Sequence, residues 1–392
     1  MPRRRTVAAA LAAALLLAAL PAAAQGDFVV EKRAFEIPRF TTQAGQTVPR
    51  LRIGYQTAGR LNEARDNAVL ITHFFSGTSH AFGRLSPGGP PGYWDAIIGP
   101  GKPIDTDRFF VVSADTPVNL NTGDPNVITT GPATPHPETG RPWGLSFPVL
   151  AIRDFVETQK ALLDHLGVRR LALVAGASMG AFQAIEWAAA YPEMVARVMP
   201  VVGSDRADAW LIGWMDIWTA PIRLDPEWRG GDYYGGPGPA RGLAEALKIV
   251  THHARDWPWA DTIGVRPAEG QDPRASVTQR FAIEKWLDDT AAARARVADA
   301  NHFLYLARAN QLFLKQYESP EAALARSRAN WLIVAATGDR IFPIEANRRL
   351  AATLRAQGRA VEIVELDGAL GHLEGIVSIA KASDAIRRLL AQ

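Results

Sequence analysis

A single serine between two close glycines most constrains how this chain can fold. It lies in the stretch LVAGASMGAFQ, where Gly176 and Gly180 stand two residues before and two residues after Ser178. An apolar, strand-like run leads into this point, and the helical pattern MGAFQAIEWAAAYP leaves it. In this strand–turn–helix setting, a G-x-S-x-G serine is held in a strained turn with its hydroxyl presented at the sheet edge. The pattern predicts a nucleophilic serine, and the alternative is a glycine-rich turn with an incidental serine.

The first 24 residues have the layout of a cleavable signal peptide. Three arginines at positions 3–5 precede an apolar Ala/Leu stretch, and small residues ending at Ala24 supply a cleavage site. The stretch is too short to serve as a stable membrane anchor. We therefore expect a periplasmic or secreted protein with no membrane anchor in its mature form. The chain has no cysteine, so it can carry neither a disulfide nor a lipid-modified cysteine.

The charge balance argues against two classes of partner. The chain carries 43 Lys and Arg against 40 Asp and Glu, and the signal segment holds three of the arginines and no acid. The mature chain is therefore close to neutral, and it has no basic stripe or run of like charges. Nucleic acid and anionic membrane are poor candidates for its partners.

Strands and helices alternate along most of the chain, which predicts an α/β fold with a mostly parallel, doubly wound sheet. Two alternating segments near the start predict an opening hairpin, and a helix is predicted to end the chain at Gln392. From about residue 205 the pattern changes to helices rich in tryptophan. We therefore expect a core in two parts, residues 25–204 and 330–392, with a helical cap inserted over residues 205–329.

A serine nucleophile needs a base within hydrogen-bond reach and an acid that orients the base. Asp339 follows the predicted strand NWLIVAATG, and His372 lies in GALGHLEG between the last strand and the last helix. Both positions are loops at strand ends, and the order Ser, Asp, His is the one found in α/β hydrolases. Asp367 and Glu374 are rival acids, although they lie too close to the histidine in sequence to reach its far side easily. The alternative for His372 is a surface loop.

Other histidines have a simpler explanation. His252, His253 and His302 belong to the predicted cap, where we expect them to face solvent or to pack. No group of His, Asp and Glu has metal-ligand spacing. We expect neither a metal nor a cofactor.

Acyl chemistry also needs two donors for the tetrahedral oxyanion. The backbone N–H after the nucleophile, that of Met179, is one candidate, because it lies at a helix N-terminus. The second should come from a loop after an early strand, here THFFSGTSH, where Phe75 precedes the turn at Ser76 and Gly77. The alternative for this segment is a plain strand-to-loop junction.

The segment GASMGAFQAIEWAAAYP resembles the homoserine O-acetyltransferase branch of the α/β hydrolases, whose elbow has the sequence GGSMGGMQALEW. The likeness extends from about Leu51 to Gly375 and includes RLNEARDNAVLITH, GPGKPIDTDRFFVV, TTGPATPHPETGRPWGLSFPVLAIRDFV, DPEWRGGDYY and GDRIFP. The resemblance implies an α/β-hydrolase fold and a homodimer through the cap helices. It also implies roles for five residues: a triad of Ser178, Asp339 and His372, with Phe75 and Met179 as oxyanion donors.

One departure from the family concerns the substrate. In the acetyltransferases, an arginine of an R-Q-A-I stretch binds the homoserine carboxylate, and Thr219 stands at its place in WTAPIRLDP. A threonine cannot replace the bidentate fork of a guanidinium. Arg223, four residues further on, is a candidate to reach the carboxylate instead.

A tryptophan stripe lies beside this position. Trp210, Trp214 and Trp218 recur at four-residue spacing and so share one helix face. Such a stripe more often packs than lines a pocket, and a pocket that it lined would be apolar. The family's C-Y-G-S-T-G-P is also altered to NVITTGP, and Ala181 and Phe182 replace its Gly-Met.

Three functions are compatible with these residues. We expect an exported serine esterase that acts on a small-molecule acyl ester, since an exported enzyme does not meet acetyl-CoA. The second hypothesis is an O-acyltransferase of the homoserine O-acetyltransferase type. The third, a non-catalytic binding protein, is weak because every triad position is filled.

Overall fold

An eight-stranded sheet forms the centre of the protein, whose computed structural model describes residues 28–392. The predicted signal peptide lies outside the described residues. The strand order is β1-β2-β6-β3-β7-β8-β9-β10. The strands of this sheet are β1 (Arg33–Thr41), β2 (Thr47–Ala58), β3 (Ala68–Thr72), β6 (Phe110–Ala114), β7 (Leu171–Ala177), β8 (Arg197–Val201), β9 (Asn330–Ala336) and β10 (Val361–Leu366); β4 (Ile98–Gly99) and β5 (Ile104–Asp105) pair separately.

Parallel pairing dominates the sheet. β1 and β2 form the predicted antiparallel hairpin, and β2 pairs antiparallel with β6. All the other pairs, from β6 through β10, are parallel. The predicted α/β class with a mostly parallel sheet is therefore confirmed. The carboxyl ends of β3, β7, β9 and β10 lie along the same edge, where the candidate site forms.

Helices connect the parallel strands. Within the described residues, α1 and α2 flank β7, six helices separate β8 from β9, and α9 to α11 complete the chain. Their bounds are α1 (Ile152–His165), α2 (Met179–Ala190), α3 (Ala209–Leu224), α4 (Ala240–His253), α5 (Trp257–Asp261), α6 (Ala282–Ala295), α7 (Ala300–Gln311), α8 (Pro320–Ala325), α9 (Ile344–Ala356), α10 (Glu374–Val377) and α11 (Ser383–Ala391). Four 3₁₀ segments span Gly144–Ser146, Pro226–Gly231, Gly371–Leu373 and Ile379–Ala382.

The sheet is buried on both faces, which is why its central strands are apolar throughout. Side chains alternate between the two faces of a strand. In β3, Leu70 belongs to the hydrophobic core that includes α1, α2 and α9, whereas Val69 and Ile71 belong to the core that includes α11. All three are fully buried. The sheet that carries the site is therefore packed on both faces.

The six helices between β8 and β9 fall into two groups. α3, α4, α6 and α7 pack against one another, whereas α8 packs against α2 and α9 of the core. The boundary at residue 329 therefore assigns one core-packed helix to the predicted cap. The division into core and cap stays a prediction.

Two local features differ from the expectation. The predicted single terminal helix is a series of short helical turns, Gly371–Leu373, α10 and Ile379–Ala382, followed by α11. The loop between β3 and β6 contains the small β4–β5 pair. No helix in residues 28–392 is both long and apolar enough to cross a membrane.

Candidate active site

Ser178 occupies a strained turn between β7 and α2. Its backbone has φ 59° and ψ −119°, a conformation that side-chain-bearing residues adopt at a cost of about 1–3 kcal/mol. The turn is held from both sides, because its N–H donates to the Val201 carbonyl (2.9 Å) and its carbonyl accepts from the Ala181 N–H (2.8 Å). Ser178 is 9% exposed. Strain of this kind at a nearly buried polar residue points to a functional serine.

The flanking glycines allow β3 to approach the turn. Thr72, the last residue of β3, donates its hydroxyl to the Gly180 carbonyl (2.8 Å) and the Ala175 carbonyl (3.2 Å). A Cβ on Gly176 would overlap the Thr72 hydroxyl, and one on Gly180 would overlap the Thr72 carbonyl oxygen. The G-x-S-x-G spacing is therefore a steric requirement of this strand-to-helix crossing.

His372 and Asp339 form a buried pair. His372 Nδ1 donates to Asp339 Oδ2 over 2.7 Å, and the two residues are 4% and 5% exposed. The other carboxylate oxygen, Oδ1, accepts from the Ile341 N–H (2.8 Å) and the Phe342 N–H (2.9 Å). Both carboxylate oxygens of Asp339 thus accept hydrogen bonds, and the ring proton lies on Nδ1, between His372 and Asp339. In this tautomer, Nε2 is the ring nitrogen that can accept a proton.

Neither rival acid contacts the His372 ring. Asp367 is exposed, and its carboxylate accepts from the Thr337 hydroxyl over 3.0 Å. Glu374 is buried, but it accepts from the Leu370 N–H at 3.1 Å and lies 3.5 Å from Lys381 Nζ. The structure places Asp339 against the imidazole in their stead.

Ser178 and His372 line one cavity of about 230 Å³. No hydrogen bond joins Ser178 Oγ to the imidazole in the described chain, and such contacts are often long in enzymes without substrate. The walls come from the core loops and from the helices between β8 and β9. They are mostly apolar and include Phe74, Val250, Ala254, Ile341, Leu373 and Ile376.

Two backbone donors are available beside the serine. The Gly77 N–H donates to the Phe74 carbonyl over 2.8 Å, which closes a four-residue turn with Phe75 at its second position. Phe75 lines the cavity, and Met179 is the first residue of α2. Neither the Phe75 nor the Met179 N–H has an acceptor within residues 28–392. Unused donors at this position can stabilise a developing oxyanion.

Sequence reasoning missed the residues that hold the Phe75 turn. Asn121 Nδ2 donates to the Ser76 carbonyl and Asn119 Nδ2 donates to the Gly77 carbonyl, both over 3.0 Å. From the helix side, Gln183 Nε2 donates to the His73 carbonyl over 3.1 Å. The available signal was the pair of asparagines in PVNLNTGD, just after a buried strand. They position the turn without touching the cavity.

The candidate substrate residues separate into two groups. Trp218 is buried and lines the serine cavity, where its ring meets Phe75 edge-on at 5.9 Å. Thr219 and Arg223 line a different cavity of about 340 Å³. The Thr219 hydroxyl donates to the Asp216 carbonyl (2.9 Å), and Arg223 pairs with the Asp216 carboxylate (2.6 Å). Adjacent helix residues point about 100° apart, and here Trp218 and Thr219 line different cavities.

The rest of the tryptophan stripe borders a second, larger cavity. Trp210 and Trp214 line about 640 Å³ together with His253, Asp339 and Arg255. The Trp214 and His253 rings stack at 3.9 Å. The stripe therefore lines cavities as well as packing.

The histidines of the predicted cap differ in their surroundings. His252 is exposed. Burial lowers the pKa of His253 to about 4, and its Nε2 donates to the Arg340 carbonyl at 3.1 Å. His302 is fully buried, where its Nε2 accepts from the Ala133 N–H and its Nδ1 donates to the Asn119 carbonyl. In residues 28–392, no three His, Asp or Glu side chains are grouped to hold a metal.

Comparisons with known proteins identify the family of the chain. Residues 90–375 match the family described as the alpha/beta hydrolase fold. The homoserine O-acetyltransferase of Symbiobacterium thermophilum is 38% identical over 89% of this chain and 91% of its own; that of Rhodospirillum rubrum is 38% identical over 82% of both.

Two solved structures superpose closely on the chain. The crystal structure of esterase E22 has a TM-score of 0.89 at 44% identity, over 92% of this chain and 100% of the other. Homoserine O-acetyltransferase from Bacillus anthracis has a TM-score of 0.89 at 33% identity, over 93% of this chain and 98% of the other. The chain therefore belongs to the α/β-hydrolase family, in the branch that contains the homoserine O-acetyltransferases.

Proposed function

We propose that the protein is an exported serine esterase that cleaves short acyl esters through an acyl-enzyme on Ser178. The observation that carries the proposal is the buried His372–Asp339 pair, which opens onto the same cavity as the strained Ser178. A cavity of about 230 Å³ is smaller than the range of roughly 300–1,000 Å³ typical of drug-sized ligands. Its size and apolar walls favour short acyl groups.

The first half-reaction uses the triad in the usual direction. Ser178 Oγ attacks the ester carbonyl while His372 Nε2 takes its proton, and Asp339 stabilises the resulting imidazolium. The carbonyl oxygen becomes an oxyanion that accepts from the Phe75 and Met179 N–H groups. The tetrahedral species then expels the alcohol, which takes the proton from Nε2. The ester C–O bond is broken and Ser178 is acylated.

The second half-reaction returns the free enzyme. Water gives a proton to His372 Nε2 and attacks the acyl carbon, and the same two N–H groups hold the second oxyanion. Collapse of this species breaks the bond to Ser178 Oγ. The serine recovers its proton from the imidazolium, and the carboxylic acid leaves.

Two features of this chain favour water over homoserine as the acceptor. The arginine that the resemblance assigns to the homoserine carboxylate is Thr219 here, and both Thr219 and Arg223 face a different cavity. The 44% identity to esterase E22 supports the same conclusion. Export, which rests on residues 1–24 and is part of the proposal, would also separate the enzyme from acetyl-CoA.

A second candidate is an O-acyltransferase that uses acetyl-CoA. The names of the curated relatives favour it over the esterase, because proteins 34–38% identical to this chain over most of its length are homoserine O-acetyltransferases. Both candidates share the acyl-enzyme and the oxyanion donors. They differ in the acyl donor, an ester or acetyl-CoA, and in the nucleophile that attacks acyl-Ser178.

A comparison of ester hydrolysis with acetyl transfer to homoserine tests the proposal. The purified protein is given p-nitrophenyl acetate alone, then acetyl-CoA with homoserine, and O-acetylhomoserine is measured by mass spectrometry. We expect ester hydrolysis without O-acetylhomoserine, and no activity of either kind in Ser178→Ala. Formation of O-acetylhomoserine faster than ester hydrolysis would replace the esterase with the transferase.

A further inference from the structure

A guanidinium that has no carboxylate partner among residues 28–392 lies at the serine cavity. Arg294 lies in the last turn of α6 and lines this cavity together with Ser178 and His372. Its Nη1 donates to the Thr251 hydroxyl and, at 3.4 Å, to the Leu247 carbonyl. Both hydrogen bonds use the same nitrogen. Within the described residues, Nε and Nη2 have no acceptor, so one edge of the planar fork is unoccupied.

No acid in the described part of the chain neutralises this group. Among residues 28–392, no carboxylate forms an ion pair with Arg294, and the charged neighbour that perturbs it is a second arginine, Arg255. Burial and Arg255 lower the pKa of Arg294 to about 10, which leaves it cationic at neutral pH. Removing an unpaired cation from water is unfavourable, so an anionic ligand would relieve this arrangement.

Arg255 adds to the positive charge on the same wall. It also lines the serine cavity, and its guanidinium lies over the rings of Trp259 (4.8 Å) and Trp286 (5.1 Å). Its Nη1 donates to the Thr251 carbonyl over 2.6 Å. Neutral groups hold Arg255 in place, and its charge is not cancelled by a carboxylate in the described chain. The cavity lining therefore includes two cationic side chains beside its apolar residues.

Arg294 also borders a second depression. Together with Thr290, it lines both the serine cavity and an open depression bounded by Trp286, Asp289 and Val297. Because Ser178 and Arg294 line one cavity, a substrate with its ester carbonyl at Ser178 can bring its other end to the unoccupied edge of the guanidinium.

We propose that the serine cavity selects esters that carry a carboxylate, and that Nε and Nη2 of Arg294 bind this carboxylate side-on. Paired N–H donors of one guanidinium match the two oxygens of a carboxylate in spacing and charge. The inference rests on the proposed esterase function. It places anion recognition on α6, away from position 219 of α3. The carboxylate can belong to the acyl group or to the alcohol, and the test separates the two.

Two matched ester pairs provide the test, with kcat/KM as the readout. On the acyl side, the mono-p-nitrophenyl ester of succinic acid is compared with p-nitrophenyl 4-methylpentanoate, in which an isopropyl group replaces the carboxylate. On the alcohol side, 4-acetoxybenzoate is compared with 4-acetoxyacetophenone. For each pair, the ratio of anionic to neutral kcat/KM is measured in wild type, Arg294→Met, Arg294→Lys and Arg296→Met. Arg296 is exposed, so its variant removes an equal charge outside the cavity.

We expect Arg294→Met to lower the anionic-to-neutral ratio by roughly ten- to a hundredfold in one of the two pairs, which is typical for loss of a charge-assisted hydrogen bond. The pair affected identifies the end that carries the carboxylate. Arg296→Met should keep the wild-type ratio, and Arg294→Lys should lie between, because an ammonium keeps the charge without the fork. Labelling of Ser178 by a fluorophosphonate probe reports whether each variant retains its site.

If Arg294→Met keeps the wild-type ratio of anionic to neutral kcat/KM in both pairs and still hydrolyses the neutral esters, the carboxylate inference is overturned. The proposed esterase function would then stand. Failure of the wild type to hydrolyse any of the four esters would overturn the esterase, and with it this inference. If Arg294→Met does not fold, Arg294→Lys decides: a ratio equal to wild type in both pairs counts against side-on binding.

Discussion

Replacing Asp339 by asparagine should slow catalysis strongly by changing the tautomer of His372. Asp339 Oδ1 accepts from the Ile341 and Phe342 N–H groups, so the amide oxygen of the new side chain should take this position. Its NH₂ group then faces His372 Nδ1 in place of Oδ2, which lies 2.7 Å from that nitrogen. A donor at this point requires Nδ1 to accept, which moves the ring proton to Nε2. A protonated Nε2 cannot take the proton of Ser178.

The expected fall in kcat follows from the free energy needed to form the active tautomer of His372 in the variant. Keeping the proton on Nδ1 requires the amide to turn over, so that its NH₂ group opposes the two backbone donors. Two hydrogen bonds are lost, and each buried group left unpaired costs about 1–3 kcal/mol. A total of about 2–6 kcal/mol corresponds to a fall in kcat of between about 30-fold and about 10⁴-fold. The KM should change little, because Asp339 acts on the ring and does not hold the substrate.

Steady-state hydrolysis of p-nitrophenyl acetate by wild type and Asp339→Asn checks this value. The matched control is Asp367→Asn, which makes the same chemical change on an exposed carboxylate that accepts a hydrogen bond from Thr337. We expect the control to keep kcat within about twofold, since surface changes are usually small in energy. A large loss at Asp367 together with a mild effect at Asp339 would refute the reasoning and move the acid of the triad.

Three further predictions concern the elbow and the cap. Ser178→Ala should lower kcat by about 10⁴-fold or more with unchanged circular dichroism; more than a tenth of wild-type activity would exclude Ser178 as nucleophile. Gly180→Ala places a Cβ against the Thr72 carbonyl and should cost about 1–3 kcal/mol in urea unfolding, whereas Gly213→Ala, in open space on α3, should cost nothing. The pKa of His253 is about 4 in the folded protein and about 6.5 in the unfolded chain. The unfolded state therefore binds the proton first as the pH falls, and the free energy of unfolding decreases below about pH 6.5. Wild type should lose about 2 kcal/mol more of this free energy than His253→Gln between about pH 7 and about pH 5.

The elbow and the sheet could be predicted because short-range sequence determines them. Two glycines at fixed spacing, a buried strand before them and a helix after them leave one arrangement of the chain around Ser178. Asp339 and His372 could be placed by the same logic, since each follows a parallel strand whose carboxyl end lies at the shared edge. In these cases the local pattern and the global fold agree.

Other features depend on contacts between distant segments. The turn that presents Phe75 is held by Asn119 and Asn121, more than 40 residues along the chain, and no local pattern reports such a contact. The helix face of Thr219 could not be judged from its alignment to a family arginine. A one-residue step along a helix rotates a side chain by about 100°, which moves it from one cavity to another.

The candidate catalytic groups and the other cavity residues come from different parts of the fold. This explains why family membership does not decide between water and homoserine as the acyl acceptor. The candidate catalytic groups all lie at strand ends of the sheet: Ser178, Asp339, His372 and the Phe75 turn. The esterase and the acyltransferase reactions would both use these groups. Two other residues that line the cavity, Trp218 on α3 and Arg294 on α6, come instead from helices between β8 and β9. A change on these helices alters which molecule is held beside Ser178 without disturbing the triad. Substitutions at Arg294 should therefore change the preference among substrates while those at Asp339 change kcat for all of them.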